Sequence, residues 1–486
     1  MHWPFHTTYT QLPDAFYSYL PEANFPQPAM LLFNKPLYHQ LFGKEATDMV
    51  EDGKTLAPFL VGNQRFANTQ PFAQAYAGHQ FGYFNMLGDG RAVVLGEILA
   101  INNQRFDVQL KGAGQTPYSR RGDGKATLRA MLREYLISEA MAALGIPTSR
   151  SLAVVTTGEK VYREAEHEGA VLTRIAGSHL RVGSFEYAAN FTDKAALISL
   201  LQYAVNRHYP FLIDAPNLAL AFLQQVIEKQ AKLVAKWMSV GFIHGVLNTD
   251  NVSIAGETFD YGPCAFMNQY KLSTVYSSVD TNGRYAFGNQ PSITHWNMAC
   301  LAGALLSLID EEEEKAIAAA QAVLNSFPDI YAEEWYQLMA AKLGLNLPIV
   351  TAEVKQLIQD LLQWMEANEA DYTYSFLVLQ ETVAPKPIYE SVNFQEWKQR
   401  WNFLLQKNNI SKKEALAIMQ KQNPVYIPRN QWVEKVLDAA CLANQLAPFQ
   451  QFLSLLQNPF TVVNETETYI LPQQADHPYY RTFCNT

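Results

Sequence analysis

The sequence predicts an α+β protein of two lobes: a small β-rich N-terminal lobe carrying one long helix, then a larger, mainly helical C-terminal lobe. Three observations predict it. Short apolar runs broken by glycine fill residues 81–112 and return at 151–157 and 170–176. A strongly periodic segment, 126–144, lies between them, and from about residue 190 the chain turns to long amphipathic runs. The expected organisation is an N-terminal extension over 1–75 that wraps the body, a β-rich lobe over 76–190, and a helical lobe with a C-terminal extension over 191–486.

Each element follows in order. Pro4, Pro13, Pro21, Pro26, Pro28 and Pro36 give the first seventy-odd residues an extended or irregular reading, with a short helix near 37–50. FGYFNMLGDGRAVVLGEILA and FDVQLKGAG read as adjacent strands of a small antiparallel sheet, turning at Asn102-Asn103. Over 126–144, Leu128, Met131, Leu132, Tyr135 and Leu136 mark one helix face, which stops at Gly145 with Pro147 following. SLAVVTT and AVLTRIA return as strands around the charged YREAEHEG. Helices are expected at 193–206, 217–240, 295–308, 311–325, 331–342, 352–368, 412–420 and 431–456. The acidic run DEEEEK at 310–315 reads as a solvated helix start whose acids complement the helix dipole.

Composition narrows the function classes. Hydrophobic residues at 48% and charged residues at 17% over 486 residues describe a compact, folded chain. A net charge of -9 offers no general attraction to nucleic acid or anionic membranes, so neither is an expected partner. The four cysteines, Cys264, Cys300, Cys441 and Cys484, lack C-x-x-C spacing, which indicates neither a disulfide framework nor a structural zinc site. MHWPFHTTYTQLPDAF has no basic region followed by an apolar run, and no uncharged apolar stretch approaches eighteen residues. A cytoplasmic location is the expectation; no motif speaks to oligomeric state.

The chemistry-bearing residues begin with LGDGRA. Gly88 and Gly90, followed by Arg91, fit a turn whose backbone amides approach a phosphate, or an ordinary hairpin turn. Lys111 ends an apolar strand and Glu134 follows on the 126–144 helix, the strand-lysine and helix-carboxylate pair with which protein kinases hold nucleotide phosphates; a snorkelling lysine and an exposed glutamate are the plainer reading. Between them, Arg120, Arg121, Asp123, Gly124, Lys125, Arg129 and Arg133 form a basic cluster at a helix start, suited to a polyphosphate. A Walker P-loop is rejected, because Ser119 and Ala126 occupy two of its required positions. Arg174 and Arg181 are candidates to join the cluster, or plain surface residues.

The most specific segment is GFIHGVLNTDNVSIAGETFDYGPC (241–264). Kinases place H-R-D-x-x-x-x-N and D-F-G on such a loop and hairpin. Aligning His244 and Asn251 puts Val246 where the catalytic aspartate belongs, and leaves Asp250 as the nearby carboxylate able to accept a proton. Asn251 and Asp260 are oxygen ligands suited to a hard cation.

With these residues in view the chain resembles the selenoprotein O family. The resemblance rests on YAGHQFG and LGDGRA, on QLKGAGQTPYSRRGDGKATLRAMLREYLISEAMAALGIPTSR, on TRIAGSHLRVGSFE, on HGVLNTDNVSI with DYGPCAFM, and on GRYAFGNQPSITHWN. It implies a protein-kinase-like fold that binds ATP in reversed orientation and transfers AMP to Ser, Thr or Tyr hydroxyls of proteins, releasing pyrophosphate. By matching position it implies nucleotide contacts at Gly88, Gly90, Arg91, Lys111, Asp123, Gly124, Arg174, Arg181 and Asp260. It further implies Mg2+ or Mn2+ on Asn251 and Asp260, with Asp250 as proton acceptor and Lys111 and Glu134 as its catalytic pair. The rivals are UMP transfer with Mn2+, conventional γ-phosphoryl transfer, and a non-catalytic nucleotide-binding scaffold. Some family members carry selenocysteine near the C-terminus, where this chain ends RTFCNT with Cys484; the two readings there are a regulatory disulfide between Cys264 and Cys484 and two independent reduced thiols.

Overall fold

A computed structural model of the protein describes residues 3–50, 53–472 and 480–482. The N-terminal lobe contains β1 (Phe5–His6), β2 (Tyr17–Tyr19), β3 (Ala29–Phe33), α1 (Lys35–Val50), α2 (Ala57–Leu60), β4 (Phe72–Gln74), β5 (Ala77–Gln80), β6 (Tyr83–Met86), β7 (Ala92–Leu99), β8 (Arg105–Lys111), α3 (Leu128–Ala143), β9 (Arg150–Tyr162) and β10 (Glu166–Ala176). Eight strands form one antiparallel sheet in the order β2-β4-β7-β8-β10-β9-β3, with β1 also paired to β7, while β5 and β6 make a separate hairpin. Residues 1–75, expected to wrap the body, thus supply four of its strands, and the sheet is larger than the small one read from 81–112.

Strand alternation assigns the two faces. Val93 and Leu95 of β7, Val108 and Leu110 of β8, and Val155 of β9 pack beneath Trp3, Leu37, Leu41, Leu56 and Leu60 of the N-terminal segment. Their neighbours Val94, Val154 and Leu172 point the other way, onto Met131, Leu132 and Tyr135 of α3 and the core of the second lobe. The same two-residue period turns Gln109 and Lys111 toward α3, which is what places a charged strand end in the interior. Thr127 caps α3 by accepting the Ala130 amide at 3.3 Å.

The second lobe holds α4 (Val182–Phe191), α5 (Lys194–His208), α6 (Leu218–Val240), β11 (Phe242–Ile243), β12 (Ala265–Phe266), α7 (Gln290–Ile309), α8 (Glu313–Leu324), α9 (Phe327–Lys342), α10 (Ala352–Ala367), α11 (Tyr372–Leu379), α12 (Val392–Lys407), α13 (Lys412–Gln422), α14 (Asn430–Leu442), α15 (Ala447–Leu456) and α16 (Glu467–Ile470). The single helix expected over 431–456 is two, because Asn444 takes a left-handed φ of 53° after α14 and Pro448 opens α15. α11 escaped the periodicity reading because all eight of its residues are buried. Residues 287–309 are long and apolar enough to cross a membrane, yet they pack as α7 against α4, α6 and α8 with Met298, Leu301 and Leu305 fully buried.

α6 delivers the chain to the site. Asn217 caps its start, accepting the Leu220 amide at 3.0 Å, and Gly241 ends it at φ 74°, a left-handed turn that glycine adopts without strain. The β11–β12 pair, Phe242 opposite Phe266, then closes a loop that presents residues 244–262 toward the sheet. The chain returns to this loop near its end: Thr482 donates its hydroxyl to the Pro263 carbonyl at 2.6 Å. Cys484, and with it the expected link to Cys264, lies outside the described residues.

Candidate active site

Three buried charges, Lys111, Glu134 and Arg174, meet Asp260, whose side chain is 33% exposed, and join the lobes. Lys111 donates to Glu134 Oε2 at 2.7 Å and also to Asp260 Oδ1. Arg174 binds the other Glu134 oxygen, reaches Asp260 Oδ1 at 3.0 Å, and donates to Gln109 Oε1 at 3.2 Å. Register explains the convergence: Arg174 of β10 stands opposite Gln109 of β8, so both cations rise from one sheet face toward α3. Burial alone raises the Asp260 and Glu134 carboxyls, but Lys111 and Arg174 outweigh it, holding Asp260 well below the usual range and Glu134 below its own. Asp260 sits at φ 66°, a left-handed conformation uncommon for a residue other than glycine and one that concentrates at functional sites.

The loop before it is ordered by side-chain bonds to backbone. His244 donates its Nε2–H to the Phe259 carbonyl at 3.2 Å, and its backbone amide donates to Gln290 Oε1 at 2.9 Å. Asn251 uses its amide nitrogen on the Val246 carbonyl at 3.0 Å, which leaves Oδ1 as its ligand atom. Val246 is itself buried and its backbone, not its side chain, does this work. Asp250 is 7% exposed; its Oδ1 has no hydrogen-bond partner, and Oδ2 meets Gln80 Nε2 at 3.4 Å. Burial raises its carboxyl to about 6, with the Arg181 guanidinium opposing.

Lys111, Glu134, Asp250, Asn251 and Asp260 line one cavity of about 150 Å³ together with Gln80, Arg91, Arg133 and Val246. Arg181 stands beside it, 4.0 Å above the Tyr76 ring, donating to the Asp250 carbonyl at 3.3 Å and 3.7 Å from Asp89. Gly88 and Gly90 are positioned by β7, and their missing side chains admit Tyr118 and Ser119: a Cβ on Gly88 would overlap the Tyr118 ring. Asp123 and Gly124 are not among the cavity's lining residues. Asp123 is bound by Arg163 at 2.9 Å, which holds its carboxyl below the usual range, and Gly124 packs on the Gly114 backbone.

The basic cluster does not converge as a unit. Arg129 pairs with Glu434 and Asp438 on α14, and Lys125 with Glu159 at 2.5 Å. Only Arg133 of that group lines the cavity, donating also to Glu434 at 3.0 Å and the Cys264 carbonyl at 2.7 Å. Sequence reasoning missed Gln80, whose strand partner residues carry no motif; the YAGHQFG resemblance was the one signal pointing there.

The side-chain amide oxygen of Asn251 and the Asp260 carboxylate, both lining the cavity, are all-oxygen donors, the chemistry that Mg2+ or Mn2+ takes. The loop-and-hairpin arrangement, the strand lysine held by a helix carboxylate and the two-lobed α+β division are those of the protein-kinase architecture.

The sequence model of the family described as "Protein adenylyltransferase SelO" matches residues 1–457. Proteins named "Protein nucleotidyltransferase YdiU" are 50% identical in Geobacillus kaustophilus, over 100% of this chain and 99% of that one, and 48% identical in Anoxybacillus flavithermus, over 100% and 99%. The same name attaches to a Bacillus cereus (strain AH187) protein at 47% identity over 100% and 98%. A solved structure of ROP2 from Toxoplasma gondii, described as having a protein-kinase fold and no enzymatic activity, aligns over 69% of this chain and 87% of its own at 11% identity, with a TM-score of 0.24. On the family match and on identities near one half along its full length, the chain belongs to the SelO family.

Proposed function

We propose that the protein is a nucleotidyltransferase that moves AMP from ATP to Ser, Thr or Tyr hydroxyls of target proteins. The observation that carries this is the displaced carboxylate: Val246 stands at the kinase base position, while Asp250, buried with a free Oδ1, faces the cavity that also holds Lys111 and Asp260. The acceptor hydroxyl oxygen attacks the α-phosphorus, its proton passes to Asp250 Oδ1, and the bond from the α-phosphorus to the bridging oxygen breaks, releasing pyrophosphate. Lys111 and Arg174, 3% and 4% exposed, are fixed in place before the reaction by Glu134, so they meet the charge developing on pyrophosphate without reorganising. Their depth supports ATP entering with its β- and γ-phosphates innermost. Asn251 and Asp260 would hold the divalent cation, which when bound adds positive charge beside the phosphates. Arg181 restrains Asp250 through its carbonyl, and Gln80 steadies the second carboxylate oxygen.

The test is to incubate the protein and candidate acceptor proteins with ATP labelled at either the α- or the γ-phosphate. Attachment of the α-label alone is expected. Attachment of the γ-label identifies a conventional kinase, and attachment of neither, to acceptors or to the enzyme itself, identifies a binding scaffold. A parallel arm with α-labelled UTP and Mn2+ separates AMP from UMP transfer. Asp250→Ala is expected to abolish transfer while ATP still binds.

A further inference from the structure

On the far side of β5 from Asp250 lies a larger cavity, about 660 Å³, and at its wall three side chains of metal-ligating type meet. His79 comes from β5, Glu186 from α4 and Cys300 from α7, and one ligand atom from each lies within 4.8 Å of the other two. We propose that His79, Glu186 and Cys300 form a second metal site, distinct from the oxygen-lined one, that takes Zn2+ or a cation of the same borderline-soft class.

Several observations support it. Glu186 is 3% exposed, and while its Oε1 sits 2.5 Å from His79 Nδ1, its Oε2 is buried with no hydrogen-bond partner. The histidine occupies the first oxygen and the Thr249 hydroxyl lies beside the carboxylate, yet the second oxygen makes no hydrogen bond of normal geometry; an ion between the groups accounts for both. The imidazole is held edge-on by Trp296, with ring centroids 5.3 Å apart, and the backbone amide of His79 donates to the Thr249 hydroxyl at 2.7 Å, so the ligand is oriented before any ion arrives. Nitrogen, oxygen and sulfur donors together select against Mg2+ and for Zn2+, and three protein ligands at a cavity wall leave a position for water. Asp310, Glu311 and Glu313 of the acidic run also line the cavity and raise the local concentration of cations. Arg284, 4.7 Å from the Trp296 ring, is the neighbouring positive charge that opposes them.

Cysteine spacing gave no sign of the site because its ligands come from segments more than a hundred residues apart. Binding exchanges protons for the ion: Zn2+ bonds to the Cys300 sulfur and the thiol proton leaves to solvent. An ion there ties β5, α4 and α7 together directly behind the catalytic loop, since Thr249 precedes Asp250 and Gln80 follows His79.

The experiment uses the full chain in excess Mg2+, which occupies the oxygen-lined site, and adds Co2+ as a spectroscopic stand-in for Zn2+. One Co2+ per chain with a thiolate-to-metal charge-transfer band is expected, displaced by added Zn2+. Cys300→Ser abolishes the band, and His79→Ala and Glu186→Gln each weaken binding by more than about 100-fold, whereas Asp260→Asn leaves the band unchanged. Thermal melting of each metal-free variant checks folding, and Cys300→Ala serves if Cys300→Ser melts early. Absence of the band in the parent protein, or its persistence in both Cys300 variants, overturns the proposal.

Discussion

Lys111 Nζ lies 2.7 Å from Glu134 Oε2, with the lysine 3% and the glutamate 2% exposed, and Arg174 holds the opposite oxygen of the same carboxylate. One carboxylate thus fixes two cations, and the two partners are not equivalent on removal. Glu134→Ala leaves Lys111 and Arg174 buried together with Asp260 alone between them, an expected loss of about 3–5 kcal/mol in urea unfolding. Lys111→Met keeps the Arg174–Glu134 pair and fills the volume, so its stability loss is smaller. Its transfer rate is expected to fall roughly 100- to 1000-fold, as when one preorganised charge donor is removed. A Lys111→Met enzyme at full rate would sink the charge-stabilising role of this lysine.

Asp250 ties activity and stability to pH in opposite senses. With its carboxyl raised to about 6, it accepts a proton only above that pH, so transfer is expected to climb about tenfold per unit up to pH 6 and level off beyond. For stability, the folded value lies above the ordinary 3.8. Below 3.8 the group is protonated in both states and contributes nothing to the pH dependence; between 3.8 and about 6 the folded state binds more protons, so stability declines as pH rises. Above that window the ionised, buried carboxylate costs on the order of 3 kcal/mol. Asp250→Asn is therefore expected to melt at a higher temperature than the parent at about pH 8, and the gap to close toward about pH 4. Equal melting at both pH values refutes the burial cost.

Much of this site was legible because its parts are local. Lys111 ends a strand and Glu134 lies on a helix whose periodicity stands out, so element type and spacing together named the pair. The loop residues His244, Asp250, Asn251 and Asp260 sit within one short segment for the same reason. What was not legible depends on distant partners or on short elements. β1 to β4 have two to five residues each and become strands only through distant partners: β1 and β4 pair with β7, β2 with β4, and β3 with β9. Arg129 read as a phosphate ligand because Glu434, 305 positions away, was invisible to it. Gln80 and His79 likewise acquire meaning only from Asp250, Thr249 and Glu186.

Gly88 offers a test of the turn beside Arg91. Its φ of 130° is disfavoured for any residue with a Cβ, and the space a Cβ needs is filled by the Tyr118 ring. Gly88→Ala is expected to cost about 1–3 kcal/mol in thermal unfolding. Gly90→Ala brings its Cβ to 3.1 Å from the Tyr118 carbonyl without a left-handed φ, so its cost is smaller. Combining Gly88→Ala with Tyr118→Ala removes the overlap and not the backbone strain, and recovers part of the loss. Indistinguishable melting of Gly88→Ala and the parent would show that the turn yields.

Arg129 and Arg133 lie one helical turn apart on α3 and share Glu434, yet only Arg133 reaches the cavity. The pair therefore separates docking of α14 from nucleotide binding. Arg129→Gln removes contacts to Glu434 and Asp438, whose side chains are 34% and 55% exposed. Pairs this open contribute at most about 1 kcal/mol each, and ATP affinity is expected to stay within about twofold. Arg133, with 11% of its side chain exposed, adds a cation to the cavity wall, so Arg133→Gln is expected to weaken ATP binding roughly tenfold, about 1.4 kcal/mol. Glu434 partly neutralises that cation from outside the cavity, at 3.0 Å from the guanidinium. Glu434→Gln should accordingly tighten ATP binding a few-fold at low salt, the gain shrinking as salt screens it. Calorimetric titration with ATP in the three variants checks the order, and a larger loss in Arg129→Gln than in Arg133→Gln would reverse the assignment.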